Sequence, residues 1–275
     1  MTEPERRSED RGFRLVHEDD LLLVVAKAAG LAVHPGQEPD SVTTLLGGGL
    51  QPVHRLDRET SGVLVLAKTR DAASFLGRCF AEGRVEKRYL ALVAGITHDK
   101  GVIRRPLVTD GQPQDAVTRY RTLASFREGL RASLLLVRPA TGRQHQIRRH
   151  LAGLGHPVLG DHRHGDPEAN RRAARLLGDL RLWLHAAAIT LPHPADGQKR
   201  TWWAGLPEEL LEMLEGLEAP ERVLRTYARQ PASPSVLDPG SSGTADGSAA
   251  AGRASLAPGE RSPIQRTGWP STRSS

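Results

Sequence analysis

The sequence predicts an α+β fold, in which strands and helices both occur but do not alternate regularly. Short apolar or alternating runs are mixed with capped segments of helical period, without the regular βαβ order that a parallel sheet requires. The chain has 275 residues, of which 38% are hydrophobic, and a chain of this length can bury a sizeable core.

Six segments have the pattern of strands or buried apolar runs. Val63 and Val65 are β-branched members of one such run, and Tyr89, Ala91 and Val93 share one face of another. The fourth and fifth segments are expected to pair with each other, and a turn is expected after the first. In chain order the segments are Leu21–Ala26, Gly62–Lys68, Lys87–Gly95, Thr118–Leu123, Arg131–Arg138 and Leu182–Leu191.

Four segments predict helices. Asp71 is expected to cap a helix that runs to about Glu82. Thr141 and Gln144 have the spacing of a capping box, so a second helix is expected to start at Thr141 and to stop at Gly155. The remaining predicted helices are Glu168–Leu180 and Pro207–Leu217, the latter with proline at its first position.

Composition divides the chain into three parts. Residues 1–12 are polar and charged and are expected to form a loose leader. From 231 to 275, 29 of 45 residues are Ser, Ala, Gly or Pro. Such a segment buries too little apolar surface to offset its chain entropy, so 229–275 is predicted to be a disordered tail. Residues 13–228 are predicted to form one folded domain.

Charge and cysteine content narrow the function classes. The formal net charge is +6 and the sequence pI is about 10.0, which favours a polyanionic partner. The single cysteine, Cys79, excludes a disulfide framework and a thiolate-rich metal site. No apolar run is long enough to span a bilayer and no signal peptide is evident at the N-terminus, so we expect a cytoplasmic protein without membrane contact.

The segment HRLDRETSG, residues 54–62, is the first that could carry chemistry. It places Asp57 between two arginines, directly before a predicted core strand. Nearby positive charge favours a charged carboxylate, which can act as a nucleophile or a base. A surface turn closed by Asp, Ser and Gly is the alternative interpretation.

The segment TGRQHQIRRH, residues 141–150, is the second. We expect Arg143 in the first helical turn, where it and the free backbone N–H groups would bind an anion. That anion is either a phosphate or an internal carboxylate such as Asp57. Arg148 and Arg149 follow on the same helix, and a solvated basic face is the alternative.

The segment KRYLALVAG, residues 87–95, is the third. Lys87 and Arg88 precede Tyr89, whose ring could stack on a base. A half-buried strand tyrosine is the simpler interpretation.

Histidines are frequent near the second of these segments. Five of the 11 lie between 145 and 164, but no HExxH spacing occurs. We therefore predict hydrogen bonding and phosphate contacts for them, His145 included, with no metal and no cofactor.

Taken in order, these segments resemble the RluA-type family of RNA pseudouridine synthases. HRLDRETSGVLVLAKT (54–69), KRYLALVAG (87–95) and TGRQHQIRRHLAGLGHPVLGD (141–161) are similar to the three motifs of that family, and LWLHAAAITLPHP (182–194) is similar to its closing strand. The resemblance implies a mixed, mainly antiparallel sheet, with flanking helices and loops that form a central active-site cleft.

The resemblance also implies an activity and the residues that carry it. The family isomerises uridine in RNA to pseudouridine without a cofactor: the N1–C1′ bond breaks, the uracil rotates while bound, and C5 joins C1′. Asp57 matches the essential aspartate, and Arg143 matches the arginine that pairs with it. Tyr89 matches the tyrosine that packs against the target uracil, and Arg55 matches the residue that fills the gap left by the flipped nucleotide.

The expected partner is structured RNA, and the resemblance implies a monomer. RNA contacts are predicted for six residues: Arg55, Arg58, Lys87, His145, Arg148 and Arg149. The core begins near Phe13, so we expect no S4-type RNA-binding domain ahead of it. His164-Gly165-Asp166 and Asn170-Arg171 are similar to the subgroup that modifies uridine 65 of tRNA, which favours tRNA over 23S rRNA.

Two other classes of protein are alternatives to a pseudouridine synthase. A non-catalytic RNA-binding protein with a synthase-like domain would share the basic charge, but it has no need of a carboxylate among phosphates. A metal-dependent nucleic-acid hydrolase is disfavoured by the missing ligand spacing.

Overall fold

The computed structural model of the chain describes residues 12–36, 40–109 and 111–228, all of which belong to one compact unit. Residues 1–11 of the expected leader and the whole of the expected tail, 229–275, lie outside the described residues.

Twelve strands are found in the described residues, and they include all six predicted segments. The strands are β1 Phe13–Glu18, β2 Leu22–Lys27, β3 Gln51–Pro52, β4 Ser61–Ala67, β5 Glu86–Ala94, β6 Lys100–Arg104, β7 Leu107–Thr109, β8 Gln112–Gln114, β9 Val117–Phe126, β10 Ala132–Pro139, β11 Leu184–Pro192 and β12 Lys199–Trp203. The predicted pairing of the fourth and fifth segments is confirmed, since β9 and β10 are antiparallel neighbours.

Six helices complete the described part of the chain. They are α1 Val42–Leu45, α2 Arg70–Ala81, α3 Gln146–Gly153, α4 Pro167–Leu177, α5 Glu208–Gly216 and α6 Glu221–Ala228. None of them is long and apolar enough to cross a membrane, a finding that covers the described residues.

Two predicted helix starts were wrong. Thr69, not Asp71, caps α2, because its hydroxyl accepts the backbone N–H of Ala72 at 3.2 Å. The helix expected from Thr141 begins only at Gln146. Its predicted capping box does not form, because the Thr141 hydroxyl donates to the Gln146 side chain at 2.6 Å instead.

Ten of the strands form one sheet in the order β1-β2-β4-β11-β5-β10-β9-β6, with β3 added to β4 and β12 added to β11. Strands β7 and β8 form a separate hairpin. Among the described strands, the pairing of β4 with β11 is parallel and the other pairings are antiparallel. A mixed, mainly antiparallel sheet with flanking helices confirms the predicted fold class.

The parallel seam between β4 and β11 is short and tightly packed. Its register pairs Ser61 with His185 and Gly62 with Ala186. Gly62 has φ +121°, and a Cβ there would lie 2.3 Å from the Ala186 carbonyl oxygen, so the close approach of the two strands requires glycine.

A buried hydrogen-bond chain strengthens the same seam. The His185 ring donates through Nε2 to the Ala204 carbonyl at 3.0 Å and accepts at Nδ1 from the Ser61 hydroxyl at 2.9 Å. Arg181 donates to that hydroxyl at 3.1 Å. Burial lowers the pKa of His185 to about 4, so the ring is neutral and both of its nitrogens are satisfied.

The two faces of the sheet carry different helices. On one face, the side chains of β5 and β10 that include Leu92 and Leu134 pack against α4, α5 and α6. On the other, Val93 and Leu135 pack against Ile147 and Leu151 of α3. Helix α3 is thereby placed beside the ends of the strands at which the cavity described next opens.

Candidate active site

A cavity of about 410 Å³ opens between three segments that are distant in the sequence. Its walls come from the loop that precedes β4, from the start of β5, and from the segment that joins β10 to α3. This volume is in the range of small-molecule sites. Seven predicted site residues line the cavity: Arg55, Asp57, Lys87, Tyr89, Arg143, His145 and Arg148.

The loop that carries Asp57 is fixed by contacts on both sides. The backbone N–H of Thr60 donates to the Asp57 carbonyl at 3.0 Å, and the Val65 N–H donates to Nε2 of His54 at 3.0 Å. The His54 ring also stacks on Phe80 with 5.5 Å between centroids. Burial lowers the pKa of His54 to about 3, so this ring is a neutral support of the loop.

Lys27 also fixes the loop that carries Asp57. Its side chain is 2% exposed, and its ammonium donates to the carbonyls of Ala28, Leu31 and Arg58 at 2.7–3.0 Å. These bonds join the end of β2 to the residue that follows Asp57, so the carboxylate is borne by a segment with little freedom.

The arginine that pairs with Asp57 is Arg148, not Arg143. Nη1 of Arg148 lies 3.3 Å from Oδ2 of Asp57, whereas Nε of Arg143 donates to the Asp115 carbonyl at 3.2 Å. The expected pairing was wrong because α3 begins five residues later than predicted. Arg148 therefore lies in the first turn of α3, and its side chain is buried beside the loop of Asp57.

Asp161 is a second carboxylate on the same guanidinium, and the sequence interpretation missed it. Nε and Nη2 of Arg148 donate to its two oxygens at 2.7 and 2.8 Å. Burial raises the pKa of Asp161, but the hydrogen bonds from Arg148 and from the N–H groups of His164 and Arg163 outweigh burial and hold it at about 2. The sequence signal that could have identified Asp161 is its position directly after Gly160.

The segment after Asp161 is shaped to present that carboxylate. The Asn170 amide accepts the Gly160 N–H at 2.9 Å and donates to the Asp161 carbonyl at 3.1 Å. A Cβ on Gly165 would lie 2.0 Å from the same carbonyl oxygen. The Gly165 and Asn170 positions are thus explained by how they fold the loop around Asp161.

His145 lies between Asp57 and His164. Its Nε2 is 3.9 Å from Oδ2 of Asp57, and its Nδ1 is 2.8 Å from Nε2 of His164. Its backbone has φ 50° and ψ 27°, a left-handed conformation that is uncommon outside glycine. Burial, and then the charge of Arg148, lowers the pKa of His145 against the opposing effect of Asp57.

Tyr89 forms one wall of the cavity. It lies on β5 opposite Ala186 of β11, beside the seam from which the Asp57 loop departs. Burial and the charge of Asp57 both raise the pKa of its phenol, so the hydroxyl stays protonated at neutral pH.

The predicted RNA-binding residues take different positions. Lys87 donates to the Thr141 carbonyl at 2.9 Å, and burial lowers its pKa to about 8. Arg55 and Arg143 are exposed where they line the cavity. Arg58 and Arg149 lie outside the cavity lining, where their guanidinium groups donate to the carbonyls of Gly30 and Val108.

One group of described residues has the composition of a metal site, at the other end of β4. Nε2 of His17 and Nε2 of His193 each lie 2.9 Å from Oδ2 of Asp19. Nδ1 of His193 accepts the Ala195 N–H at 3.3 Å, so the ring proton is on Nε2. Metal-binding histidines have the opposite arrangement, with the second nitrogen donating, and the group fits a hydrogen-bonded support of the β1–β2 turn.

Together these features define what the cavity can do. It offers one carboxylate on a fixed loop, an aromatic ring beside it, apolar walls from Ile147 and Leu184, and cations at the mouth. A flat, mostly uncharged ring joined to an anionic chain fits this combination.

Comparison with known proteins gives a consistent result. The family described as RNA pseudouridylate synthase matches residues 21–153. A protein of Salmonella typhi named tRNA pseudouridine synthase C is 37% identical over 74% of this chain and 88% of its own length. One of Haemophilus influenzae, named ribosomal large subunit pseudouridine synthase D, is 33% identical over 77% of this chain and 73% of its own.

A solved structure agrees with these matches. The human protein described as RNA pseudouridylate synthase domain containing 4 superimposes with a TM-score of 0.63 at 29% identity. The match covers 77% of this chain and 95% of that one.

Proposed function

The chain belongs to the RNA pseudouridylate synthase family, and we propose that it converts a uridine of tRNA, uridine 65 by preference, to pseudouridine. It is an RNA pseudouridine synthase and therefore an isomerase. The observation that carries the assignment of its centre is the cavity in which Asp57, Tyr89 and Arg148 meet.

Two observations support tRNA over 23S rRNA. Relatives named tRNA pseudouridine synthase C are 34–37% identical to this chain, and the relative named for the ribosomal large subunit is 33% identical. The second observation is the pattern His164-Gly165-Asp166 with Asn170-Arg171, which resembles the subgroup acting on uridine 65. The enzyme is proposed to act as a cytoplasmic monomer.

In the proposed mechanism the target nucleotide leaves the helical stack, because C1′ cannot be reached inside it. Its uracil enters the cavity against the Tyr89 ring, and the exposed guanidinium of Arg55 occupies the vacated space. Asp57 then acts on the ribose, either at C1′ or at the C2′ proton. The N1–C1′ bond breaks, the uracil rotates, C5 bonds to C1′, and the proton lost from C5 is balanced by one gained at N1.

Arg148 has a positioning role in this proposal. It holds Oδ2 of Asp57 while both oxygens of Asp161 hold Arg148. The aspartate therefore does not have to reorient when the nucleotide arrives. Such preorganisation is a large part of how enzymes stabilise charge that develops during a reaction.

The remaining cations are proposed to bind RNA phosphates. Lys87 reaches into the cavity, Arg143 and Arg55 lie at its mouth, and Arg58 and Arg149 extend the basic surface on either side. His145 is proposed to contact the flipped nucleotide beside Asp57.

Pseudouridine mapping of total RNA from strains with and without the gene tests the substrate. The expected result is loss of pseudouridine at one tRNA position, restored by the wild-type gene and not by an Asp57→Asn variant. Asp179→Asn, which removes an exposed acid elsewhere, is the matched control and should restore it. A loss of pseudouridine confined to 23S rRNA would show that the substrate is 23S rRNA and not tRNA.

The same variants test Asp57 in vitro. Asp57→Asn protein should bind the RNA and form no pseudouridine. Turnover by this variant would remove the aspartate from the centre of the mechanism. Binding without turnover by the wild-type protein would favour a non-catalytic RNA-binding protein.

A further inference from the structure

One face of the sheet carries a cluster of cations outside the cavity. Strands β6, β9 and β10 contain no Asp or Glu, and their lysine and arginines are exposed. We call this cluster the cation strip; its residues are Lys100, Arg104, Arg119, Arg121 and Arg138.

The register of the strands places these cations side by side. Arg119 lies opposite Arg138 of β10, and Arg121 lies opposite Lys100 of β6. Side chains of directly opposite residues share a face at about 5 Å, and like charges in such pairs are destabilising. The isolated protein therefore gains no stability from the arrangement.

Nothing in the described part of the chain neutralises the strip. None of its five side chains forms an ion pair or a side-chain hydrogen bond with another described residue. Basic residues on the edge strand β6 can serve to block unwanted strand pairing. That explanation does not extend to Arg119, Arg121 and Arg138, because β9 and β10 are interior strands.

The strip begins where the cavity ends. Pro139 and Ala140, which directly follow Arg138, line the cavity. Tyr120 and Ile103 point to the opposite face, where they pack with Ile147 of α3. An RNA strand that leaves the cavity mouth can therefore pass around the ends of β10 and β9 onto the strip.

We propose that the cation strip binds the phosphate backbone of the substrate RNA at a second segment, away from the flipped nucleotide. This inference rests on the proposed function. The strip spans three strands, about 10 Å at the usual strand spacing, and each of its five exposed side chains carries a positive charge. Such a surface suits a polyanion held by its phosphates rather than by its bases.

A double variant, Arg119→Gln with Arg121→Gln, tests the proposal in the full chain. With tRNA as the probe, we expect KM to rise on the order of 10-fold and kcat to stay unchanged, because neither residue lines the cavity. The slope of log Kd against log salt concentration should fall by about 1.4 to 1.8, the equivalent of two lost phosphate contacts.

A matched control is Arg172→Gln with Arg175→Gln, the same change of charge on exposed α4 residues that have no part in the proposed sites. This control should keep the wild-type KM and salt slope. Equal losses in both double variants would show an effect of net charge and would overturn the strip as a site. Wild-type values in the Arg119/Arg121 variant would overturn it directly.

The outcome is separable from that of the proposed function. If wild-type protein forms no pseudouridine in tRNA, the proposed substrate is wrong, and the same two double variants are compared on the RNA that it does modify. If the wild-type protein modifies tRNA and the strip variant matches it in KM and salt slope, the strip proposal alone fails.

Discussion

The guanidinium of Arg148 binds two carboxylates. The side chain of Asp161 is 1% exposed and that of Asp57 is 18% exposed. A planar fork with five donors can bind Asp161 at two points and still reach Asp57 with a third. A buried charge without its partner is costly, so the same residue supports both the folded state and the position of the Asp57 carboxylate, which we propose to be the reacting group.

The first prediction concerns Arg148→Lys. A single ammonium cannot fork across Asp161 and also reach Asp57, so the single-turnover rate at saturating RNA should fall by about 100-fold. The free energy of unfolding should fall by about 1 to 3 kcal/mol, because Asp161 loses one of its charged hydrogen bonds. Rapid quench with pseudouridine detection and urea denaturation measure the two effects.

The matched control is Arg143→Lys. Arg143 is exposed, so its conservative variant should leave the free energy of unfolding unchanged and affect KM for RNA more than the single-turnover rate. A larger loss of rate in Arg143→Lys than in Arg148→Lys would contradict the assignment of Arg148 to Asp57.

The second prediction concerns pH. Burial lowers the pKa of Lys87 to about 8, so its ammonium is mostly charged at pH 7 and loses its charge as the pH rises through that value. If the charged form binds an RNA phosphate, KM should be flat up to about pH 7.5 and rise several-fold by pH 9. In Lys87→Arg, which keeps its charge, the rise should be absent; an identical rise would assign it to another group.

The sequence was sufficient to identify residues of the site, but it was not sufficient to predict which of their side chains contact one another. Asp57 and Tyr89 were predicted to be catalytic and Lys87 to bind RNA, and the structure brings all three side chains to one cavity. The choice between Arg143 and Arg148 was not accessible, because it depends on where α3 begins. The Gln146 side chain decides this point by binding Thr141 and the Arg143 N–H.

Among the elements, the β4–β11 seam gives the third prediction. A Cβ at Gly62 would meet backbone atoms of Ala186 that cannot move aside, so Gly62→Ala should cost more than about 3 kcal/mol and displace the Asp57 loop. Gly77→Ala, in open space on α2, should instead stabilise by about 1 kcal/mol. Thermal denaturation compares the two variants, and an intact, active Gly62→Ala protein would contradict the role of the seam.

Strands β1, β6 and β12 were not predicted, because their local sequence patterns are weaker than the tertiary contacts that place them. Strand β6 has a glycine at its second position and polar ends, which is a weak strand signal. In the structure Gly101 is needed because a Cβ there would lie 2.5 Å from the Tyr120 ring. Strands β1 and β12 owe their places to pairing with β2 and β11, which is tertiary information that a local pattern does not contain.

In the whole molecule, the cavity and the cation strip lie on opposite faces of the sheet. One face and its α3 helix build the cavity, and the other carries the cation strip at its β6 end. The net charge of +6 predicted a polyanionic partner from composition alone. The clustering of positive charge in the cation strip was not predictable, because these residues become neighbours only when β6, β9 and β10 pair in register.

The long separation of the seam strands has a consequence for synthesis of the chain. Ser61 meets His185, 124 residues later, so the start of β4 has no partner on that side until β11 leaves the ribosome. At ordinary translation rates this interval lasts roughly 6 to 25 s. During this time an apolar strand edge is open to other nascent chains. The enzyme should therefore depend on chaperones while it is being made, and its yield should be more sensitive to translation speed than its final stability indicates.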